Sequence, residues 1–144
     1  MYAYPLVIHR EASGVWLSSP DLPEMNGSGD DLSEARADAL NGMESTFSLY
    51  VDQRRKIPLA SDVQGAELVL DLPVLTVAKI MLWNAMLEQG VSRQELAGRL
   101  GCSRQAVDRL VDFLHASKIE QVERALGALN CRLALILQPQ SNAA

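Results

Sequence analysis

Metal-binding and redox-active residues are scarce in this 144-residue chain, which has only two cysteines and two histidines. Cys102 and Cys131 cannot form a metal site by themselves, and His9 and His115 lie at no metal-ligand spacing from them. We therefore expect no bound metal and no cofactor. No Ser/His/Asp or Cys/His arrangement of the kind used in nucleophilic catalysis is evident either.

Long apolar segments are also missing. No apolar run approaches the roughly 20 residues that span a membrane, and residues 1–5 lack the basic start of a signal peptide. We expect a cytoplasmic protein that does not associate with membranes and whose cysteines stay reduced. The composition, with 48% hydrophobic and 22% charged residues, is that of a folded globular chain.

Positive charge is scarce in the first half of the chain. Residues 1–72 hold five Lys/Arg and twelve Asp/Glu, a net charge of −7, whereas residues 73–144 hold eight and six, a net charge of +2. This split predicts two domains with that boundary, the second of which tolerates polyanions. Chance variation between two small domains is the alternative.

Hydrophobic patterning in the first half predicts a small sheet packed with one helix. Three segments alternate as strands do: residues 2–10, 15–18 and 67–72. Residues 26–31 are polar and rich in glycine, which predicts a loop. A helix is expected from about Ser33, capped by Ser33 or Asp31, to about Gln53, because Pro58 lies ahead.

The strongest motif in the chain is Leu-Ala-x-x-Leu-Gly-x-Ser at residues 96–103. Gly101 supplies a left-handed turn between two helices, and Cys102 suits a small apolar slot in that turn. Ser103 and the earlier Ser92 can each cap a helix. The spacing predicts a helix-turn-helix within residues 74–129, and a plain helical hairpin that does not bind DNA is the alternative.

The second helix of this motif is expected to enter the major groove of DNA with its N-terminal part. Its exposed face carries four polar side chains: Arg104, Gln105, Asp108 and Arg109. Arginine reads guanine and glutamine reads adenine through paired hydrogen bonds. Ser103, together with Arg93 or Gln94 on the preceding helix, suits phosphates. For Arg109, an ion pair with Asp112 is the alternative.

A final helix is predicted from Ile119 to Leu129, followed by a strand from Arg132 to Gln138. The strand is apolar on both faces and needs a partner. Pairing with a second subunit predicts a homodimer, which could build a larger oligomer, through four side chains: Leu133, Leu135, Ile136 and Leu137. The alternative is that the strand returns to the N-terminal sheet of its own subunit.

Features of the first 60 or so residues match a known arrangement. The predicted hairpin is followed by Ser19-Pro20-Asp21-Leu22-Pro23, then by a glycine-containing loop, by Ser33-x-Ala35 at the start of the helix, and later by Ile57-Pro58. This order resembles the N-terminal domain of HicB-type antitoxins, which commonly have glycine where Glu24 stands. One branch of that family carries a C-terminal helix-turn-helix, so the resemblance covers nearly the whole chain.

The resemblance implies an α+β protein. Its N-terminal sheet and helix would form a truncated ribonuclease H-like fold, followed by the all-α helix-turn-helix domain with its dimerising strand. It also implies an antitoxin that neutralises a HicA-like toxin, which cuts messenger RNA, and that represses its own operon by binding operator DNA. Four loop acids are then expected to face the toxin: Asp21, Glu24, Asp30 and Asp31.

Two other functions compete with this interpretation. A metal-dependent nuclease needs clustered carboxylates, typically with one in the middle of the first strand, but residues 2–10 contain no acid. We therefore expect a non-enzymatic protein. The other alternative is a one-component regulator whose N-terminal domain senses a small ligand.

Overall fold

A four-stranded antiparallel sheet forms one layer of the fold in the computed structural model, which describes residues 1–139. Its strands are β1 (Ala3–Glu11), β2 (Gly14–Ser18), β3 (Asn26–Gly29) and β4 (Leu68–Asp71), in the spatial order β3-β2-β1-β4. β1 pairs with β2 as a hairpin and with β4 on its other side. The three strands predicted from hydrophobic alternation are confirmed.

The loop predicted over residues 26–31 is wrong at its start, because β3 occupies that segment and pairs with β2. Its sequence, Asn-Gly-Ser-Gly, has no apolar alternation to reveal a strand. The glycines instead allow a helix backbone to lie directly on the strand. A Cβ atom at Gly27 would come within 2.5 Å of the Ala39 Cα, and one at Gly29 within 2.6 Å of the Ala35 nitrogen.

That helix is α1 (Leu32–Asp52), which covers one face of the sheet. Asp31 caps it by accepting a hydrogen bond from the Glu34 backbone N–H at 2.9 Å, so the second of the two predicted caps is the one used. The buried residues of α1 recur at helical spacing: Ala35, Ala39, Met43, Phe47 and Tyr50. They meet Tyr4, Leu6 and Leu17 of the sheet in the core.

Four helices follow β4 in the part of the chain that the structure describes. They are α2 (Val74–Gln89), α3 (Arg93–Leu100), α4 (Arg104–Leu110) and α5 (Ile119–Gly127). α2 packs against α5, and α3 packs against α4. Gly90 and Gly101 end α2 and α3 in the left-handed conformation, with φ of 66° and 67°. None of the helices in residues 1–139 combines the length and hydrophobicity needed to cross a bilayer.

Direct contacts join the helices of the second half to the first half. The Trp83 indole N–H donates to the Arg55 carbonyl at 2.8 Å. The Asn84 amide both accepts from the Ile57 N–H and donates to the Ile57 carbonyl. The rings of Phe47 and Phe113 lie 5.2 Å apart. The boundary predicted near residue 73 is therefore spanned by one continuous core.

The strand predicted from Arg132 to Gln138 is absent from the single chain, because residues 131–139 form neither helix nor strand. A strand needs a hydrogen-bonded neighbour, and this segment pairs with neither edge of the sheet, which also removes the alternative of a return to it. Leu135, Ile136 and Leu137 are 73–100% exposed, whereas Leu133 packs against the core. Residues 140–144 of the predicted second domain lie outside the described residues.

Candidate nucleic-acid interface and acidic surface

α3 and α4 are two short helices joined by the turn at residues 101–103. Ser92 caps α3 by accepting from the Glu95 N–H, and Ser103 caps α4 by accepting from the Ala106 N–H, both at 3.1 Å. The predicted caps and the left-handed Gly101 are confirmed. Since a helix of seven residues is marginal by itself, α4 depends on these caps and on its neighbours.

The apolar contact between the two helices is mostly as predicted. Leu96 and Val107 are fully buried, and Leu110 is nearly so. Cys102, however, is exposed rather than held in an apolar slot. The left-handed turn at Gly101 places the next residue on the outside, so the cysteine contributes nothing to this packing.

Most of the residues predicted to bind DNA are exposed to solvent. The exposed ones are Gln94, Ser103, Arg104, Gln105 and Arg109, whereas Arg93 and Asp108 are partly buried. The Asp108 carboxylate lies 3.2 Å from Arg93 Nη1 and 3.9 Å from Arg104 Nε. Asp108 therefore orients Arg93 at the start of α3 and Arg104 at the start of α4.

Within residues 1–139, Arg109 forms no ion pair with Asp112. The Asp112 carboxylate instead accepts from the Leu114 N–H at 2.9 Å, which closes the turn after α4. The Arg109 side chain is exposed, and its carbonyl takes part in a separate contact with α2. The guanidinium therefore stays available to an external partner.

A buried lysine that the sequence reasoning missed holds the C-terminal end of α4. The Lys79 ammonium, on α2, donates to the carbonyls of Arg109, Asp112 and His115 at 3.1, 2.6 and 2.6 Å. Burial lowers the pKa of Lys79, and the nearby Asp112 and Glu44 oppose this shift. A cation at a helix C-terminus is favourable. The signal for this contact in the sequence was Lys79 itself, a charged residue among the apolar residues of α2.

The four acids predicted to face the toxin have unequal freedom. Asp21 accepts from the backbone N–H and the hydroxyl of Ser61, and Asp31 caps α1. Glu24 accepts from the Tyr50 hydroxyl at 2.8 Å and from Arg55 at 3.1 Å. Three of the four therefore also have structural roles.

Hydrogen bonding fixes the charge of Glu24. A backbone N–H, the Tyr50 hydroxyl and Arg55 lower the pKa of Glu24, and the Arg55 guanidinium stacks on the Tyr50 ring at 3.9 Å. Burial and the Glu24 carboxylate raise the pKa of Tyr50. This cluster ties the loop before β3 to the end of α1.

Asp30 lies in a different setting. It lines a shallow depression at the end of the β1–β2 hairpin with Glu11 and Trp16. The Trp16 ring stacks on His9 at 3.6 Å on the sheet face opposite α1, and its N–H donates to Glu11. This aromatic pair was not predicted from the sequence. The signal that could have revealed it is the alternation along β1 and β2, which puts both rings on the sheet face away from the core.

Residues 1–139 contain no group of three or more His, Cys, Asp or Glu side chains arranged to hold a metal ion.

Comparisons with known proteins agree with the resemblance. Residues 3–81 match the model of a family described as HicB_like antitoxin of bacterial toxin-antitoxin system. Antitoxin HicB of Pseudomonas fluorescens (strain Pf0-1) is 52% identical over 96% of this chain and 95% of its own length. Antitoxin HicB 1 of Photorhabdus laumondii is 34% identical over 94% of this chain and 86% of its own length. Antitoxin HicB of Escherichia coli (strain K12) is 31% identical over 93% and 98%.

Proposed function

The chain belongs to the HicB-like antitoxin family, and from this membership we propose that it neutralises a HicA-like, messenger-RNA-cleaving toxin by direct binding and represses its own operon as a dimer. The observation that carries the proposal is similarity over nearly the whole chain to proteins named as antitoxins. It accounts for both an acidic half and a helical half. Because such a toxin cuts messenger RNA, the two proteins would meet in the cytoplasm.

The N-terminal half is the proposed toxin-binding unit, a sheet and helix that we interpret as a truncated ribonuclease H-like fold. Its net charge of −7 favours a basic partner, which long-range attraction would bring in quickly. Asp30 is the predicted contact with the fewest internal constraints. Its depression, shared with Glu11 and Trp16, offers two acids and an aromatic ring to a basic side chain. Asp21, Glu24 and Asp31 would shape the adjoining surface.

The C-terminal half is the proposed operator-binding unit, with α3 and α4 as a helix-turn-helix. Arg104 and Gln105 lie at the exposed start of α4, where a recognition helix contacts bases. Ser103 and Gln94 would bind phosphates. Asp108 would act by holding Arg93 and Arg104 in place, and Arg109 would reach the groove further along the helix.

Dimerisation is proposed through residues 131–139. Three large apolar side chains there, Leu135, Ile136 and Leu137, are exposed in the single chain, and pairing with a second copy would cover them and let the segment become a strand. Two subunits would place two copies of α4 on half-sites about one helical turn apart. A dimer would therefore make twice as many base contacts as one short helix can make.

Co-expression with the product of the neighbouring reading frame tests the proposal. We expect the pair to co-purify and the toxin's RNA cleavage to stop when the full chain is added. The full chain should also shift a DNA fragment from its own promoter. Failure of the chain to bind either the toxin or the promoter DNA would contradict the proposal. Metal-dependent RNA cleavage by the purified chain alone would indicate a nuclease instead.

A further inference from the structure

A cleft of about 420 Å³ opens where the ends of α1 and α2 meet the starts of α3 and α4. Arg54, just after α1, lines this cleft together with Arg93, Gln94 and Arg104 of the proposed helix-turn-helix. Asp52 is the acid in its lining, so three arginines face one carboxylate. A residue of the N-terminal half therefore shares a basic cleft with the proposed DNA-binding helices.

The backbone at Arg54 is one that favours glycine. Its φ is 54°, in the left-handed region. The Arg54 N–H donates to the Val51 carbonyl and the Arg55 N–H to the Tyr50 carbonyl, which is the usual arrangement around a left-handed residue at a helix end. The corresponding positions after α2 and α3 are Gly90 and Gly101. A side chain here is disfavoured by the backbone, so stability does not explain the arginine.

Internal contacts do not explain it either. Arg54 forms no hydrogen bond or ion pair with another side chain in residues 1–139, and it is exposed. The next residue behaves differently, because Arg55 pairs with Glu24 and stacks on Tyr50. The Arg54 guanidinium is therefore free to meet a partner from outside the chain.

We propose that Arg54 contacts a phosphate of the operator DNA, so that the N-terminal half supplies part of the DNA interface. This inference rests on the proposed operator binding through α4. When the start of α4 enters the major groove, the starts of α3 and α4 lie near the sugar-phosphate backbone. Arg54 lies beside them in the same cleft, and guanidinium groups suit phosphate oxygens.

The test is the salt dependence of DNA binding by full-length Arg54→Gly. Removing one phosphate contact to B-DNA lowers the slope of log affinity against log salt by about 0.9. We expect that decrease for each bound subunit, on operator and on unrelated DNA alike, because phosphates carry no base sequence. The thermal midpoint of the variant should equal or exceed the parent's, since glycine favours this backbone.

Four further variants sharpen the result. Arg10→Gly removes an exposed arginine at the far end of β1 and should leave the slope unchanged. Arg54→Gln should reproduce the decrease without a change to glycine, and Arg54→Lys should retain most of the slope because the charge remains. Asp52→Asn should raise affinity, because it removes a carboxylate from the cleft.

The outcomes separate this inference from the proposed function. If the parent shifts no operator DNA, the proposed operator binding fails, and this inference with it. If the parent binds but Arg54→Gly and Arg54→Gln keep the parent's slope, only the Arg54 contact is overturned. If Arg54→Gly and Arg54→Gln both lower the slope while Arg10→Gly leaves it unchanged, the result supports the contact.

Discussion

Replacing Lys79 by methionine tests how the end of α4 is held. Lys79 is 1% exposed, and its ammonium donates to three carbonyls that follow or end α4, those of Arg109, Asp112 and His115. Methionine fills a similar volume but donates no hydrogen bond. The substitution therefore leaves three carbonyls without this partner while keeping the apolar packing of α2.

The expected loss is large. Hydrogen bonds to a charged group contribute about 1.5–3 kcal/mol each, which makes the gross loss about 5–9 kcal/mol. Part of it is offset, because methionine has no charge to desolvate, whereas burial lowers the pKa of Lys79. We expect a net loss of about 3–5 kcal/mol in the free energy of unfolding, roughly half of the gross figure. For a chain of this size the Tm should fall by roughly 10 °C.

Urea unfolding followed by circular dichroism measures this loss. Lys56→Met is the matched control, because Lys56 is exposed and its replacement should change stability by about 0.5 kcal/mol or less. Hydrogen exchange of the Leu110 and Val111 amides should speed up more than exchange in β1. A loss below about 1 kcal/mol for Lys79→Met would refute the reasoning, since that is an ordinary effect for any point mutation.

Four other outcomes are expected. Arg104→Ala and Gln105→Ala should each weaken operator binding in a mobility-shift assay by about 1–3 kcal/mol without altering the Tm, and unchanged affinity of the double mutant would exclude α4 as the reading helix. Toxin association measured by stopped flow should slow with added salt, and Asp30→Asn should lower the rate; indifference to both would contradict the acidic surface. Burial raises the pKa of Tyr4 from 10.0, so the stability that the neutral Tyr4 hydroxyl contributes is complete below pH 10 and is lost as the pH rises above 10. The urea midpoints of the parent and of Tyr4→Phe should therefore converge above pH 10. Leu135→Glu should make the chain monomeric by light scattering, whereas a dimer that persists would exclude the 131–139 segment as its contact.

Elements with a strong local signal were predictable from the sequence. α1 carries an apolar residue on every turn and a cap at Asp31, and α3 and α4 carry serine caps around Gly101. Each of these signals acts within a few residues of the chain, so it is visible without knowing the tertiary structure. The predicted bounds of α1, about Ser33 to about Gln53, agree with the observed Leu32–Asp52 to within about two residues.

The errors share a physical cause, which is that the relevant partner is distant in sequence. β3 exists because Gly27 and Gly29 let α1 approach, and its local sequence is typical of a loop. Residues 132–138 carry a strand pattern but no neighbour in the single chain. Lys79 stands out in the sequence as a charged residue within an apolar helix. Its three carbonyl partners could not be predicted, because they lie 30 to 36 residues further along the chain.

Contacts with residues distant in sequence orient α4, the seven-residue helix that is proposed to read DNA. α4 is too short to be stable alone, so its orientation is set from outside: Ser103 caps its start, and Lys79 holds its end. Asp108 connects its middle to Arg93 of α3. Because α2 also binds the backbone after α1 through Trp83, α2 contacts both the segment that follows α1 and, through Lys79, the end of α4.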